Sequence, residues 1–321
     1  MLVDEEWIDI FEQYRFSVGV SIDGPEGYND KFRKDHQGRG TYQRVVKGIR
    51  LLQAASAKGR IRLPGMLVVI DPHNNGKEIF DHLVNVMGAK YINFLLPMTS
   101  HDMQKCGTDE AMSSYLLDVG QAYVEHKEKI VVRIVNQFLR FICGASPLPS
   151  GEQMESKANV LVAISSDGHI GPDDELKPLN IFREVETVGD TTLQQFLNSE
   201  FLAYLDTVSN TVPDECRECC WQNYCRGGAG TGSLIGRYSR KNHFNNKSVH
   251  CEPLRTFYAK LAYDAMGNGL AESLLIQCLD TTLSPYLNAF PETPVAMRKA
   301  FPIVAQILGD EMAPNLHAIP G

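Results

Sequence analysis

Short apolar runs rich in β-branched residues alternate along the chain with stretches whose apolar positions recur at helical spacing. Residues 15–22 (RFSVGVSI) read as a strand that stops at Asp23-Gly24-Pro25, a turn signal. Thr41 then caps a predicted helix carrying Val45, Val46, Ile49 and Leu52 and running to Gly59. A second strand is predicted at 66–70, stopped by Asp71-Pro72. Asn74 or Asn75 caps a helix with Ile79, Phe80, Leu83 and Val86, and Gly88 stands just past its end. A third strand at 91–96 stops at Pro97. Strands separated by helices imply parallel pairing with right-handed crossovers, hence an α/β fold. In such sheets ligands meet the carboxyl ends of the strands, here Ser21–Gly24, Asp71–His73 and Leu95–Met98. Three strands are too few to close a barrel, and the first leaves an edge that needs cover.

The pattern changes beyond residue 105. Residues 109–142 read as helical with a strand-like insert at 131–135 (VVRIV), and Pro147, Pro149 and Gly151 mark a boundary. A strand and turn follow at 160–168, a helix at 193–205, a cysteine-rich segment at 213–251, and helices from 252 leading into a Pro-containing tail. No internal repeat or low-complexity stretch is present.

Composition narrows the partners. In 321 residues, 43% are apolar and 22% charged, ordinary values for a globular chain. The net charge of −8 argues against a sequence-independent grip on nucleic-acid phosphates. No run is apolar enough to span a membrane, and the opening MLVDEEWIDIFEQ is too acidic for a signal peptide, so a cytoplasmic protein is expected.

The eight cysteines carry the chemistry. Four fall between 216 and 225, and the pattern Cys216-x2-Cys219-x5-Cys225 is followed 26 residues later by Cys251. Two thiolates on one turn plus two from farther along the chain suit a tetrahedral metal or an iron–sulfur cluster. Spacing alone leaves zinc and iron–sulfur equally open. Gly227, Gly228, Gly230 and Gly232 allow close backbone wrapping around a bulky group, and Trp221 and Tyr224 are placed to shield it. Cys106, Cys143 and Cys278 sit in apolar or helical contexts that predict core packing.

PDECRECCWQNYCRGG (213–228) with YSRKNHFNNKSVHCEPL (238–254) resembles the SPASM domain of radical S-adenosylmethionine (SAM) peptide maturases. VGVSIDGPEGYNDKFRKDHQGRGTYQRVVKGIRLL (18–52) resembles the fourth strand and following helix of their barrel. The detail around Tyr238 to Cys251, with INFLLPM at 92–98, is most similar to the cyclophane-forming maturases of ribosomally made peptides; anaerobic sulfatase-maturing enzymes are more distant relatives. The implied fold is the C-terminal half of a (β/α)6 partial barrel at 1–105, a connecting helical segment at 106–150, a SPASM auxiliary-cluster domain at 151–260 and a helical tail at 261–321. MLVDEEWIDIF resembles the helix after the third barrel strand, so the chain is expected to start in mid-barrel.

The resemblance implies that Cys216, Cys219, Cys225 and Cys251 ligate an auxiliary 4Fe-4S cluster. Relatives with a second such cluster carry a ligand four residues after the triplet; here that position is Ala229, so one auxiliary cluster is expected. Ser21 and Arg33 are implied contacts of the SAM amino-acid moiety, with Leu96 against the nucleoside. Asp174 aligns with a carboxylate that takes a substrate proton, and its neighbour Asp173 is placed to raise its pKa. Asp23 is a candidate substrate contact. The loop motif C-x3-C-x2-C, which holds the SAM-cleaving cluster, occurs nowhere among the eight cysteines. The expectation is a radical SAM/SPASM maturase that cross-links side chains of a precursor peptide, dependent on SAM only in a longer form that holds the missing cluster, and inactive by itself. A separate electron donor is an implied partner; nucleic acid and membrane are not. The alternative is a non-catalytic relative that binds peptide or a partner and keeps an iron–sulfur or zinc site for structure.

Overall fold

The computed structural model describes residues 3–126, 128–144, 162–179, 187–231 and 233–280. They divide into two compact units, one formed by residues up to Pro97 with Cys106–Asn136, the other by Met98–Lys105 with residues from Gln137 onward.

The first unit is α/β. It opens with helix α1 (Glu5–Gln13), whose N-terminus is capped by the Asp4 carboxylate accepting from the Trp7 amide at 3.2 Å. Arg60 donates to Glu5, Asp9 and Glu12, at i, i+4 and i+7 along that helix. A four-stranded sheet, order β1-β2-β3-β4, is parallel throughout: β1 (Gly19–Ser21), β2 (Gly65–Val69), β3 (Tyr91–Leu95) and β4 (Val131–Val132). Val20 pairs with Met66, and Met66 with Ile92, so their side chains share one face and are buried with Val68 and Phe94.

Helices connect the strands, as a parallel sheet requires. After β1 come the short α2 (Glu26–Phe32) and α3 (Tyr42–Ala57), which buries Val45, Ile49, Leu52 and Ala55 along one stripe. After β2 comes α4 (Gly76–Asp81), capped by the Asn75 side chain and continued by a π-helical turn, His82–Val86. After β3 comes α5 (Asp109–Glu125). Gly76 is where α4 meets α5: a Cβ there would stand 2.3 Å from the Tyr115 carbonyl oxygen.

The three expected strands and two helices are present. The stretch 131–135 is divided, because only Val131 and Val132 pair with β3 while α6 (Arg133–Ile142) begins at the next residue. The Asn136 side chain accepts from the Val132 amide at 2.8 Å, which ends the strand by folding the next turn back on it.

The second unit is mostly helical. Strands β5 (Ala163–Ile164) and β6 (Ile170–Gly171) form an antiparallel hairpin, followed by a 3-10 helix, Asp174–Leu179. The single helix expected at 193–205 is two, α7 (Leu193–Leu197) and α8 (Glu200–Asn210). Ser199 intervenes and caps α8 by accepting from the Leu202 amide, a local bond that competes with helix continuation. Then come the four-residue α9 (Gln222–Cys225), α10 (Cys251–Gly267) and α11 (Glu272–Leu279). One core joins Ile170, Leu176, Phe196, Leu202, Leu205, Ile235 and Phe244. Of the helical tail expected at 261–321, the end of α10 and α11 are described, and residues 281–321 lie outside the described residues. No helix among the described residues is long and apolar enough to cross a membrane.

Candidate metal centre

The four spaced cysteines sit at the ends of short elements. Cys216 closes a 3-10 turn begun at Asp214, and the Cys219 amide donates to its carbonyl at 3.1 Å, so both thiols rise from one turn. Cys225 ends α9, where Arg226 adopts a left-handed conformation, and Cys251 opens α10. The segment between them is tied back by side chains. Asn245 accepts from the Asp214 amide at 3.0 Å and donates to its carboxylate at 2.9 Å. Asn246 donates to the carbonyls of Arg237 and His243, and the Val249 amide donates to Gly236. These bonds bring Cys251 back to the triplet.

Burial and mutual repulsion raise the thiol pKa values, to about 11 at Cys216 and about 12 at Cys225, while Cys251 moves in the same direction from burial. Cys219 and Cys251 act on Cys216 and Cys225, and Cys219 acts on Cys251, so the four form one electrostatic group. Such thiols stay protonated at neutral pH unless a cation compensates the thiolates.

Three features of the site fit a sulfur-ligated cluster. Gly227, at φ +70°, lines the Cys216 side, where a Cβ on it would stand 3.6 Å from the Cys216 sulfur and 2.7 Å from the Pro213 ring. Arg237 is 1% exposed, and its nearby charges are the cysteines and Arg226. The Tyr258 hydroxyl is buried beside the Cys225 and Cys251 thiols.

Around this group stands an aromatic wall. Phe138 stacks on Tyr258 at 4.9 Å, and Trp221 and Tyr224 meet it edge-on at 5.6 and 5.2 Å. Trp221 and Tyr224 are buried, as their expected shielding role requires.

Cys220 points outward and is exposed. Cys143 and Cys278 are buried, the latter donating to the Phe141 carbonyl, as expected of core thiols. Cys106 is a correction: it is exposed, because the loop between β3 and α5 carries it to the surface beside the Asp71 turn.

The strand ends of the first unit form a separate polar cluster. Ser21 ends β1 and is exposed, and Leu96, just past β3, is half-buried. The Arg33 guanidinium grips Asp23 through Nε at 2.6 Å and Nη2 at 2.9 Å, and Asp23 also accepts from the Val69 amide. The carboxylate-binding fork thus meets a carboxylate of the chain itself. Beside it, Asp71 accepts from Lys31 at 2.7 Å and contacts His73 Nδ1 at 2.7 Å, contacts that hold its pKa below the usual range. Beneath both carboxylates lies the Tyr115 hydroxyl, buried and without a hydrogen-bond partner, its pKa pushed well up by desolvation. In the second unit, Asp174 is exposed on the first turn of its 3-10 helix, and the Asp173 carboxylate accepts from the Glu175 amide.

Sequence reasoning passed over Lys31, Tyr115, Arg237 and Tyr258. Tyr258 had a signal, since it stands two helical turns after Cys251 and so shares its face of α10. Arg237 had none: its relation to the thiols depends on how the loop returns.

A parallel α/β sheet and a cysteine-gathering unit define the class of protein to be matched. No family model matches the chain. A solved structure described as native anSMEcpe with bound AdoMet superposes with a TM-score of 0.67 at 19% identity, covering 83% of this chain and 71% of that one. A second, with AdoMet and the Kp18Cys peptide, gives 0.65 at 19%, covering 83% and 72%. These likenesses show the fold. Among curated proteins, a cysteine-type anaerobic sulfatase-maturating enzyme of Clostridium novyi (strain NT) is 21% identical over 272 residues, 80% of this chain and 68% of the relative. A serine-type enzyme of Klebsiella aerogenes is 22% identical over 257 residues, 74% and 60%. A serine-type enzyme of Bacteroides thetaiotaomicron reaches 34% over 93 residues, 29% of this chain and 22% of its own length. The chain thus spans well under three-quarters of the length of these curated relatives. These homologues are anaerobic sulfatase-maturating enzymes, and the radical SAM peptide-maturase resemblance holds.

Proposed function

We propose that this protein is a radical SAM/SPASM maturase that modifies, by cross-linking, side chains of a ribosomally made peptide, with one auxiliary 4Fe-4S cluster on Cys216, Cys219, Cys225 and Cys251. The observation that supports it most is the gathering of those four thiols into one electrostatic group beside two buried donor atoms without partners, Arg237 Nη1 and the Tyr258 hydroxyl. On this reading residues 1–105 are barrel, 106–150 a connector, 151–260 the auxiliary-cluster domain and 261–321 a helical tail. A reducing cytoplasmic setting keeps the thiols available.

When bound, SAM and its own cluster supply the hydrogen-abstracting radical, and the auxiliary cluster supplies a site for the electron released as product forms. The chain's residues provide the setting. Ser21 offers a hydroxyl at the end of β1. Arg33 is oriented by Asp23 through two bonds that leave Nη1 to meet a SAM carboxylate. Leu96 offers apolar surface to the nucleoside. Asp23, saturated by Arg33 and the Val69 amide, acts on substrate through the guanidinium it holds. Asp174, exposed, is the carboxylate assigned to take the substrate proton. Trp221, Tyr224, Phe138 and Tyr258 exclude water from the sulfurs.

The test is anaerobic reconstitution followed by iron and acid-labile sulfide analysis. Iron and sulfide in equal amounts, at one cluster per chain and lost in Cys251→Ser, support the proposal. Stoichiometric zinc without sulfide overturns it. With SAM and a reductant the sequence alone is expected to form no 5′-deoxyadenosine, since C-x3-C-x2-C is absent; a peptide made lighter by two hydrogens is the product expected where the radical is supplied.

A further inference from the structure

Two buried donor atoms beside the four thiols, Arg237 Nη1 and the Tyr258 hydroxyl, have no hydrogen-bond partner. Arg237 ends a 3-10 turn (Ile235–Arg237) and is 1% exposed. Its Nε donates to the Phe244 carbonyl at 2.9 Å and its Nη2 to the Thr211 carbonyl at 3.0 Å, while Nη1 is buried without a partner. Among the described residues no carboxylate pairs with this guanidinium, and the groups that favour its charge are Cys216 and Cys225. The Tyr258 hydroxyl, on the face of α10 that carries Cys251, is 0% exposed and approaches the Cys225 thiol without reaching hydrogen-bond geometry.

A buried cation without a counter-charge is strongly unfavourable, and a buried hydroxyl without a partner costs about 1–3 kcal/mol. Neither is explained by the neutral thiols, which offer poor acceptors and no charge. Both are explained once the four sulfurs are thiolates around a cluster, a dianion rich in sulfur acceptors.

We infer that Arg237 and Tyr258 donate charge and hydrogen bonds to the group held by the four cysteines and so raise its reduction potential. Reduction adds a negative charge to that group, and a nearby cation and a donated hydrogen bond stabilise the reduced form more than the oxidised one. Arg237 acts from the Cys216–Cys225 side and Tyr258 from the Cys225–Cys251 side, so Cys225 lies between them. Their role is to set how readily the site takes an electron. Neither residue need touch the peptide.

The inference rests on the cluster reading above, and the experiment separates the two. Wild-type protein, Tyr258→Phe, Arg237→Gln and Arg237→Lys are reconstituted anaerobically, assayed for iron and sulfide, and titrated potentiometrically with detection by electron paramagnetic resonance. Tyr258→Phe removes one oxygen and keeps the ring stack with Phe138, so it is the variant least able to disturb the fold. Its midpoint potential is expected below wild type, and that of Arg237→Gln lower still, by about a tenfold shift in the one-electron reduction equilibrium, or 59 mV. Arg237→Lys, which keeps the charge and loses the fork, falls between Arg237→Gln and wild type. Resonance Raman bands of the Fe–S(Cys) stretches are expected to shift in Tyr258→Phe. Full iron and sulfide with wild-type potentials in both Tyr258→Phe and Arg237→Gln overturns the inference and leaves the cluster standing. If Arg237→Gln does not fold, Tyr258→Phe decides alone. Absence of iron and sulfide from the wild type removes the cluster reading and this inference with it.

Discussion

Replacing Gly227 by alanine is expected to damage the metal centre far more than the same change at a glycine of equal backbone conformation elsewhere. Gly227 has φ +70°, and Gly38, in the other unit, has φ +75°. Both substitutions force an L-residue into the left-handed region, a cost of about 1–2 kcal/mol. Both also gain about 0.4–1 kcal/mol because alanine restricts the unfolded chain. The backbone contribution is therefore near 1 kcal/mol at each. The surroundings differ. A Cβ on Gly38 meets nothing within 4 Å, whereas on Gly227 it stands 2.7 Å from Cδ and Cγ of the Pro213 ring. A proline ring has no flexible end to swing aside, so the contact adds an overpacking cost of about 1–3 kcal/mol. Gly227→Ala should thus lose about 2–4 kcal/mol and Gly38→Ala about 1 kcal/mol or less. Relief of the clash moves Pro213, three residues before Cys216, so cluster occupancy should fall as well. The assay is urea denaturation of the metal-free proteins, with iron and sulfide analysis after reconstitution. Equal midpoints for the two variants, with full iron in Gly227→Ala, would show that the Gly227 backbone is not a tight wall of the site.

The remaining expectations concern the thiols and the strand-end pair. Cys216 and Cys225, pushed up from 9.0 to about 11 and 12, keep their protons in the folded metal-free protein while the unfolded chain releases its own. The unfolded state then binds fewer protons, so the stability of the metal-free protein should fall as pH rises from about 9 towards 11; cluster-loaded protein, whose sulfurs are already deprotonated, should show no such slope in pH-dependent melts. Cys251→Ser should abolish stoichiometric iron while Cys220→Ser leaves it intact, because Cys220 is exposed; loss of iron in Cys220→Ser would mean that the ligand set is misassigned. Asp23→Asn removes the charge from a fork held at 2.6 and 2.9 Å and should cost about 1.5–3 kcal/mol in chemical denaturation, with a smaller loss in high salt; an unchanged midpoint would show that the pair contributes nothing to the fold.

Local signals were enough to read the alternation of strands and helices between residues 15 and 98, because a stripe such as Val45, Ile49 and Leu52 and a stop such as Asp71-Pro72 act within a few residues of themselves. The cysteine spacing was legible for the same reason: Cys216 and Cys219 share one turn. What escaped was decided by distant partners. Val131 and Val132 join the sheet because β3 lies beside them, and Arg133 leaves it because Asn136 folds back on the strand end. Ser199 divides a continuous helical pattern by offering its hydroxyl to Leu202.

From the sequence by itself came the α/β class, the order of its first elements, the spacing of the four cysteines and the resemblance to peptide maturases. Tertiary structure alone decided that Asp23 and Arg33, both expected at ligands, first hold each other, that Cys106 is exposed, and that Arg237 and Tyr258 bury unsatisfied donors against the thiols. The division has a physical cause. Periodicity, caps and ligand spacing are short-range properties of the chain, whereas the partner of a buried charge is whatever the returning backbone places within a few ångströms of it.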